Sequence, residues 1–378
     1  LSLKDAYGPT LADLSLIRPF RFLSPAQFGA DGGTARGIKD PVGTGPWVHA
    51  EARKGEYDLF KRNESYWGRK PELAEVLVKV VPEGESRVAA LETGDLDLIF
   101  GASGQGAAQI NLEAFKRLEA TGRFETGVSN PRATRALAIN SARGAGRDLA
   151  VRRAVQHAID RDAIQKAVMR GLSSPTGMLA APFVNGYTKA LAAYPKADPA
   201  RARKLLTEAG YPEGFTLTLD APNDRYVNDE AIATAVAGFL ARIGVKVTVQ
   251  ARPFALHNAL LTKGDSDFYL YGWGVPTHDS AYVFDYLVHT RGKNRLGTWN
   301  ITGYSNPQLD TQIESLSSEG NRDKRNATIQ SIWEATRQAG FYIPLHDQMI
   351  SNASIPSLDV PIHPNNITYF KLVKVKKP

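Results

Sequence analysis

FTLTLDAPNDRYVNDEAIATAVAGFLARIGVKVTVQARPFALHNALLTKGDSDFYLYGW, residues 215–273, is the stretch that decides the fold. FTLTLD (215–220) alternates apolar and polar residues as a half-buried strand does. EAIATAVAGFLARIG (230–244) repeats its apolar residues at helical spacing and stops at a glycine, and VKVTVQ (245–250) alternates again. A helix near 254–262 and the strand DFYLYGW (267–273) complete a β-α-β-α-β succession. Strands separated by helices of this length require crossovers, so the pattern predicts an α/β fold with a mostly parallel sheet and helices packed on it. The first of these helices is not opened by Gly-x-Gly-x-x-Gly, which argues against a dinucleotide site.

The same reading extends in both directions. PRATRALAIN (131–140) is a strand that could cross between domains, and LAVRRAVQHAIDRDAIQKAVMRG (149–171) is helical with a break near Asp160. DPARARKLLTEAG (198–210) starts on an aspartate cap and stops at Gly210. Helices over 306–318 and 322–339 precede the strand FYIPLH (341–346). Toward the N-terminus, PVGTGPW (41–47) is a glycine-permissive loop, EYDLFKRN (56–63) and LAEVLVKVV (73–81) read as strands, and Glu85–Thr93 reads as a short helix closed by Gly94. LDLIF (96–100) returns as a strand, which predicts a β-β-α-β unit; a further helix is expected over 107–120. The opening 28 residues read as a strand, a short helix after Pro9 and a loop punctuated by Pro19 and Pro25, followed by a glycine-rich linker from Gly29 to Lys39.

Composition narrows the function. At 378 residues the chain can bury a large core and should divide into about two domains. The net charge of +7 is spread along the sequence, clustered only in the tail KLVKVKKP, and shows no basic stripe of the kind that reads nucleic acid. Zero cysteines exclude disulfides, thiolate metal sites and cysteine nucleophiles. No run of some 18 apolar residues exists, and Leu1 is followed by no charged and apolar signal segment. Gly-x-Ser-x-Gly, Walker, HExxH and calcium-loop motifs are all missing. Asp95 and Asp97 could pair two carboxylates, but strand-end charges facing solvent explain them better. Of seven dispersed histidines, only His278 and His289 lie close together inside an aromatic loop.

That loop, YLYGWGVPTHDSAYVFDYLVHTRGKNRLGTWN (269–300), is the most site-like part of the second half. Ligands of open α/β sheets bind at strand carboxyl ends, and small-molecule pockets combine aromatic walls with a few polar groups. An aromatic core explains Tyr282, Phe284 and Tyr286, whereas the glycines on either side of Trp273 imply close backbone approach. Tyr271, Trp273, Thr277 and His278 are the candidate ligand-binding residues here, and His289 the candidate metal ligand.

PVGTGPW, RNESYWG (62–68) and SRVAALETGDLDLIF (86–100), together with AYGP, RPFRF and SPAQF in the first 28 residues, resemble the extracytoplasmic substrate-binding proteins of ABC importers, family 5, the peptide and nickel class. The similarity continues more weakly through VRRAVQHAID (151–160) to the closing VKVKKP. The resemblance implies a two-lobed periplasmic-binding-protein fold, type II and cluster C-like. Residues 1–131 would be the remainder of lobe I, 132–349 lobe II and 350–378 a return segment to lobe I. Members carry roughly a hundred residues before the point where this chain begins, so lobe I is expected to be incomplete and to expose apolar sheet edges.

For function, the resemblance implies a non-enzymatic, periplasmic or extracytoplasmic receptor. It would capture a small ligand between its lobes, hand it to an ABC permease in the membrane, and work as a monomer when complete. Nickel as a chelate complex is the expected ligand, a di- or oligopeptide the alternative within the class, and a hydrolase the alternative outside it. No cofactor is implied beyond nickel as transported ligand. In nickel-type members an arginine of the RPFRF motif clamps a carboxylate of the chelator, which corresponds to Arg18, and the tryptophan of Trp-Gly-x-Pro packs on the ligand, which corresponds to Trp273. Where those members have a ligand-contacting tyrosine this sequence has Thr277, and the metal-contacting histidine has no gapless counterpart, His289 falling within two residues of it.

Overall fold

The computed structural model describes residues 7–16, 23–30, 32–33, 41–100, 110–292, 295–362 and 368–376. Helix α1 (Thr10–Leu14) follows Pro9. Strands β1 (Trp47–Arg53), β2 (Tyr57–Arg62) and β3 (Glu75–Lys79) form an antiparallel meander. Helix α2 (Gly84–Thr93) buries Val88 and Leu91 and ends on Gly94, whose φ of 85° is the left-handed conformation that terminates helices at little cost for glycine. Strand β4 (Leu98–Phe100), helix α3 (Leu112–Thr121), capped by the Asn111 side chain, and strand β5 (Glu125–Val128) follow.

The next segment is built of β6 (Ala133–Ile139), α4 (Leu149–Ala158), β7 (Ser173–Pro175), α5 (Pro199–Glu208), β8 (Thr216–Pro222), α6 (Asp229–Ala241), β9 (Lys246–Arg252), α7 (Phe254–Lys263), β10 (Phe268–Gly274), α8 (Pro307–Ser315), α9 (Arg322–Ala339) and β11 (Tyr342–Gln348). Asp148, Asp198, Asn306 and Asn321 cap α4, α5, α8 and α9 by accepting backbone N–H bonds. The break expected near Asp160 is real, since its carboxylate accepts the Ala163 N–H and starts a new turn.

The six-stranded sheet runs β7-β11-β6-β10-β8-β9. β8 pairs in parallel with β9 and β10, as the crossovers require, but β10 with β6, β6 with β11 and β11 with β7 are antiparallel. The sheet is therefore mixed, where the local pattern predicts a mostly parallel one. β6 and β11 come from opposite ends of this segment, and no local periodicity reveals that they enter the middle of the sheet. Trp333, Phe341, Phe284, Tyr269 and Leu287 belong to the main apolar core beside it.

Strand β12 (Ser351–Ser354) lies between β4 and β5, antiparallel to both, and β13 (Leu358–Asp359) pairs with β14 (Lys374–Val375). The expected β-β-α-β unit is thus not one sheet, because β1–β3 pair among themselves while β4 joins β12. The chain divides into two compact units: among the described residues one holds 7–16 with 130–349, the other 23–100, 110–129 and 350–376. Helix α1, assigned by sequence to the first lobe, groups with the larger unit, and the Gly8 N–H donates to the Ser317 carbonyl at 2.7 Å. In the smaller unit no side chain of β1–β3 is fully buried, and Val48 and Leu77 are about half exposed.

Candidate functional site: an aromatic wall at the carboxyl end of β10

Strand β10 ends in Gly272-Trp273-Gly274. A Cβ on Gly272 would lie 2.5 Å from Arg135 Nη1 and 2.8 Å from the Tyr226 ring, so only glycine lets those groups close over the strand. Trp273 is half-buried, with Tyr271 stacked beside it at 6.1 Å and 21°, Tyr282 at 5.7 Å and Tyr286 at 5.9 Å. Tyr282 and Tyr286 are themselves 4.8 Å apart on the helical turn that follows. Four rings thus make a continuous wall, at spacings where offset and tilted aromatic pairs attract.

A buried charge lies on the opposite face of the sheet, against Gly272. The Arg135 guanidinium lies 4.1 Å over the Tyr226 ring and donates from Nε and Nη2 to Gln348 Oε1 at 3.0 and 2.6 Å. Burial pushes its pKa down only to about 10, so it stays cationic at neutral pH. The loop after β8 is held by the Asp229 carboxylate, which accepts the N–H groups of Arg225 and Tyr226 at 3.1 and 3.0 Å. The half-buried Arg225 side chain sits 4.5 Å over Phe254 and makes no ion pair among the described residues, and its Nε has no hydrogen-bond partner. Sequence reading missed Arg225, since a lone arginine in a polar loop carries no signal until Phe254 is placed against it. Asp347 of β11, Thr134 of β6 and Trp273 of β10 occupy one row across three strands.

The other expected site residues are distributed unevenly. Tyr271 joins Trp273, as does the register partner Thr134. Thr277 is buried, and its Oγ1 accepts the Asp279 N–H at 3.3 Å within its own turn. His278 is exposed, sits in the left-handed region at φ 58°, and packs its ring on Phe183 at 4.8 Å. Partial burial and then Arg132 hold it below the usual histidine range.

His289, the candidate metal ligand, is engaged within the protein. It is buried, with Nδ1 2.7 Å from the Thr290 carbonyl and Nε2 3.0 Å from Glu314 Oε1, so both nitrogens face acceptors and no lone pair is free. Burial alone would lower its pKa, but the Thr290 carbonyl and the Glu314 and Asp310 carboxylates outweigh that and raise it, favouring the imidazolium. Among the described residues no three histidine, aspartate or glutamate side chains converge as a metal cage. Asp95 and Asp97 are both exposed. Arg18 lies outside the described residues.

With this geometry in view, the comparisons with known proteins decide the family. The model of the bacterial extracellular solute-binding proteins, family 5 Middle, matches residues 2–295. The chain belongs to that family. A nickel-binding periplasmic protein of Escherichia coli is 29% identical over 100% of this chain and 73% of its own length. Heme-binding protein A of Haemophilus influenzae is 25% identical over 75% of the chain and 50% of its own length, so the family 5 chain described here spans between half and three quarters of these relatives. Among solved structures, NikA from Brucella suis in complex with Fe(III)-EDTA superposes with a TM-score of 0.84 at 30% identity, covering 99% of this chain and 76% of that one. A dipeptide-binding protein from Pseudoalteromonas in complex with Met-Leu gives 0.78 at 22% identity over 99% and 73%, which establishes the shared α/β binding-protein fold. The resemblance carried by PVGTGPW and RNESYWG is therefore borne out. No helix among the described residues is long and apolar enough to cross a membrane.

Proposed function

We propose that this family 5 chain is the substrate-binding component of an ABC importer, working outside the cytoplasm without catalysis, and that its ligand is nickel in a preformed chelate. The observation that carries the reading is the wall of Trp273, Tyr271, Tyr282 and Tyr286 at the carboxyl end of β10. An aromatic face with a nearby unpaired guanidinium, Arg225, suits a small ligand that bears carboxylates. Arg18, by its place in RPFRF, would add a second cation. The engagement of His289 by Thr290 and Glu314 supports a metal held through its chelator rather than by that imidazole.

A di- or oligopeptide is the second reading, favoured by the fold shared with the Met-Leu-bound relative. Calorimetry or native mass spectrometry of the chain with Ni(II) plus histidine, with Fe(III)–EDTA, and with Met-Leu separates them. Saturable binding of either chelate supports the proposal, binding of Met-Leu alone transfers it to peptides, and binding of none overturns both.

A further inference from the structure

The row that ends on Trp273 contains a buried acid outside the aromatic wall. Thr134 is the register partner of both Trp273 and Asp347, so the three side chains share one face of the sheet, and Thr134 Oγ1 donates to Asp347 Oδ1 at 2.6 Å. Thr134 is 1% and Asp347 2% exposed. Asp347 makes no ion pair among the described residues; the positive groups closest to it in sequence and register, Arg135 and His346, occupy the neighbouring row, on the other face. Arg135 directs its hydrogen bonds to Gln348, and His346 is fully buried with neither ring nitrogen bonded, held near a pKa of about 3 by burial and then by Arg135, hence neutral. Tyr187, the remaining titratable group whose field reaches Asp347, is raised by burial and then by that carboxyl, so it too is neutral.

We propose that Asp347, positioned by Thr134 two strands from Trp273, is a specificity-determining group that sets the ligand's preferred charge according to its own protonation. The proposal rests on the ligand site described above. Two strand spacings separate the residues, roughly 10 Å. Over that range, at the effective dielectric of a protein site, a unit charge changes the affinity of an anion by about fifteenfold. Burial places the Asp347 pKa at about 7, against the opposing pulls of the Thr134 hydrogen bond and the Arg135 charge. Protonated, the acid leaves the wall to anionic ligands; ionised, it repels them and favours a ligand carrying an ammonium group.

The test is affinity against pH, from 6 to 8, for two probes: anionic Fe(III)–EDTA and zwitterionic Met-Leu. In the wild-type chain, Fe(III)–EDTA should weaken about sixfold across this range and Met-Leu should bind more tightly as pH rises. Asp347→Asn should abolish the difference. Thr134→Val, which removes only the hydroxyl donor that lowers the acid's pKa, should move the midpoint to higher pH and serves as the readout if Asp347→Asn does not fold. Whichever probe binds carries the test. Equal pH profiles in wild type and Asp347→Asn, or a midpoint unmoved by Thr134→Val, overturn this proposal alone, whereas binding of neither probe to wild type at any pH overturns the ligand site on which it rests.

Discussion

Arg325 clasps Asp279 with both arms of its guanidinium, Nη1 2.8 Å from Oδ2 and Nη2 3.0 Å from Oδ1, in a pair whose side chains are only 11% and 13% exposed. Asp279 also accepts the Ala281 N–H at 2.9 Å, so the pair fastens the loop after Trp273 to helix α9. Removing one member of such a pair leaves a buried charge uncompensated, which costs about 3 kcal/mol. Arg325→Met is expected to lower the unfolding free energy by about that amount in urea, and the double variant Asp279→Asn/Arg325→Met to recover part of it. Simple additivity of the two single changes would show that the pair is not coupled.

The aromatic wall makes a separate demand. Truncating a tryptophan at the centre of a binding surface removes about 2 kcal/mol or more, so Trp273→Ala should weaken the bound ligand at least about thirtyfold in calorimetry, with Trp273→Phe between. Arg225→Ala should weaken an anionic ligand about tenfold with little change in thermal stability, because its guanidinium supports no ion pair among the described residues. An unchanged affinity in both variants would remove the wall from the site.

How far these features were legible in the amino-acid order follows from the range of the interactions that make them. Gly94, Asp198 and Asp160 act on their own helices, and their cap positions could be read directly. The close backbone approach beside Trp273 was legible from its two flanking glycines, and Arg135 and Tyr226 provide it at Gly272. The partner of His289 was not legible, because Glu314, 25 positions later on α8, supplies the acceptor that faces its Nε2. Asp347 went unnoticed because the strand was read as ending at His346, and a polar HDQ run signals a loop unless β6 covers it. The mixed sheet was hidden for the same reason, since β6 and β11 are paired across about two hundred residues.

His289 itself yields a test. If its nitrogens are committed to Thr290 and Glu314, His289→Gln should lower stability while leaving the stoichiometry of nickel-chelate binding unchanged. A histidine whose folded pKa is raised stabilises fully below its unfolded value near 6.5, and that contribution is lost as pH climbs through the folded pKa. Wild type should therefore lose stability above about pH 6.5 relative to His289→Gln, in urea titrations at matched ionic strength. Loss of bound metal in the variant, with its stability intact, would restore His289 as a ligand.

Asp347 adds to this pH dependence with the same sign for a different reason. Burial raises its folded pKa to about 7, far above the unfolded carboxylate value near 3.9, so the folded state holds a proton that the unfolded chain has already released. Such a group stabilises most below the unfolded pKa, and the contribution drains away as pH rises toward and through 7. Between pH 6 and pH 8 the loss amounts to about 1 kcal/mol. Asp347→Asn, which keeps the shape and the hydrogen-bonding partner Thr134 but cannot ionise, should flatten this part of the profile and leave the His289 part in place. Measured by urea unfolding at closely spaced pH, wild type should be less stable at pH 8 than at pH 6 and the variant should show a smaller difference. Wild-type and Asp347→Asn profiles that run parallel over that interval would mean that Asp347 is ionised in the folded chain throughout and contributes no slope there.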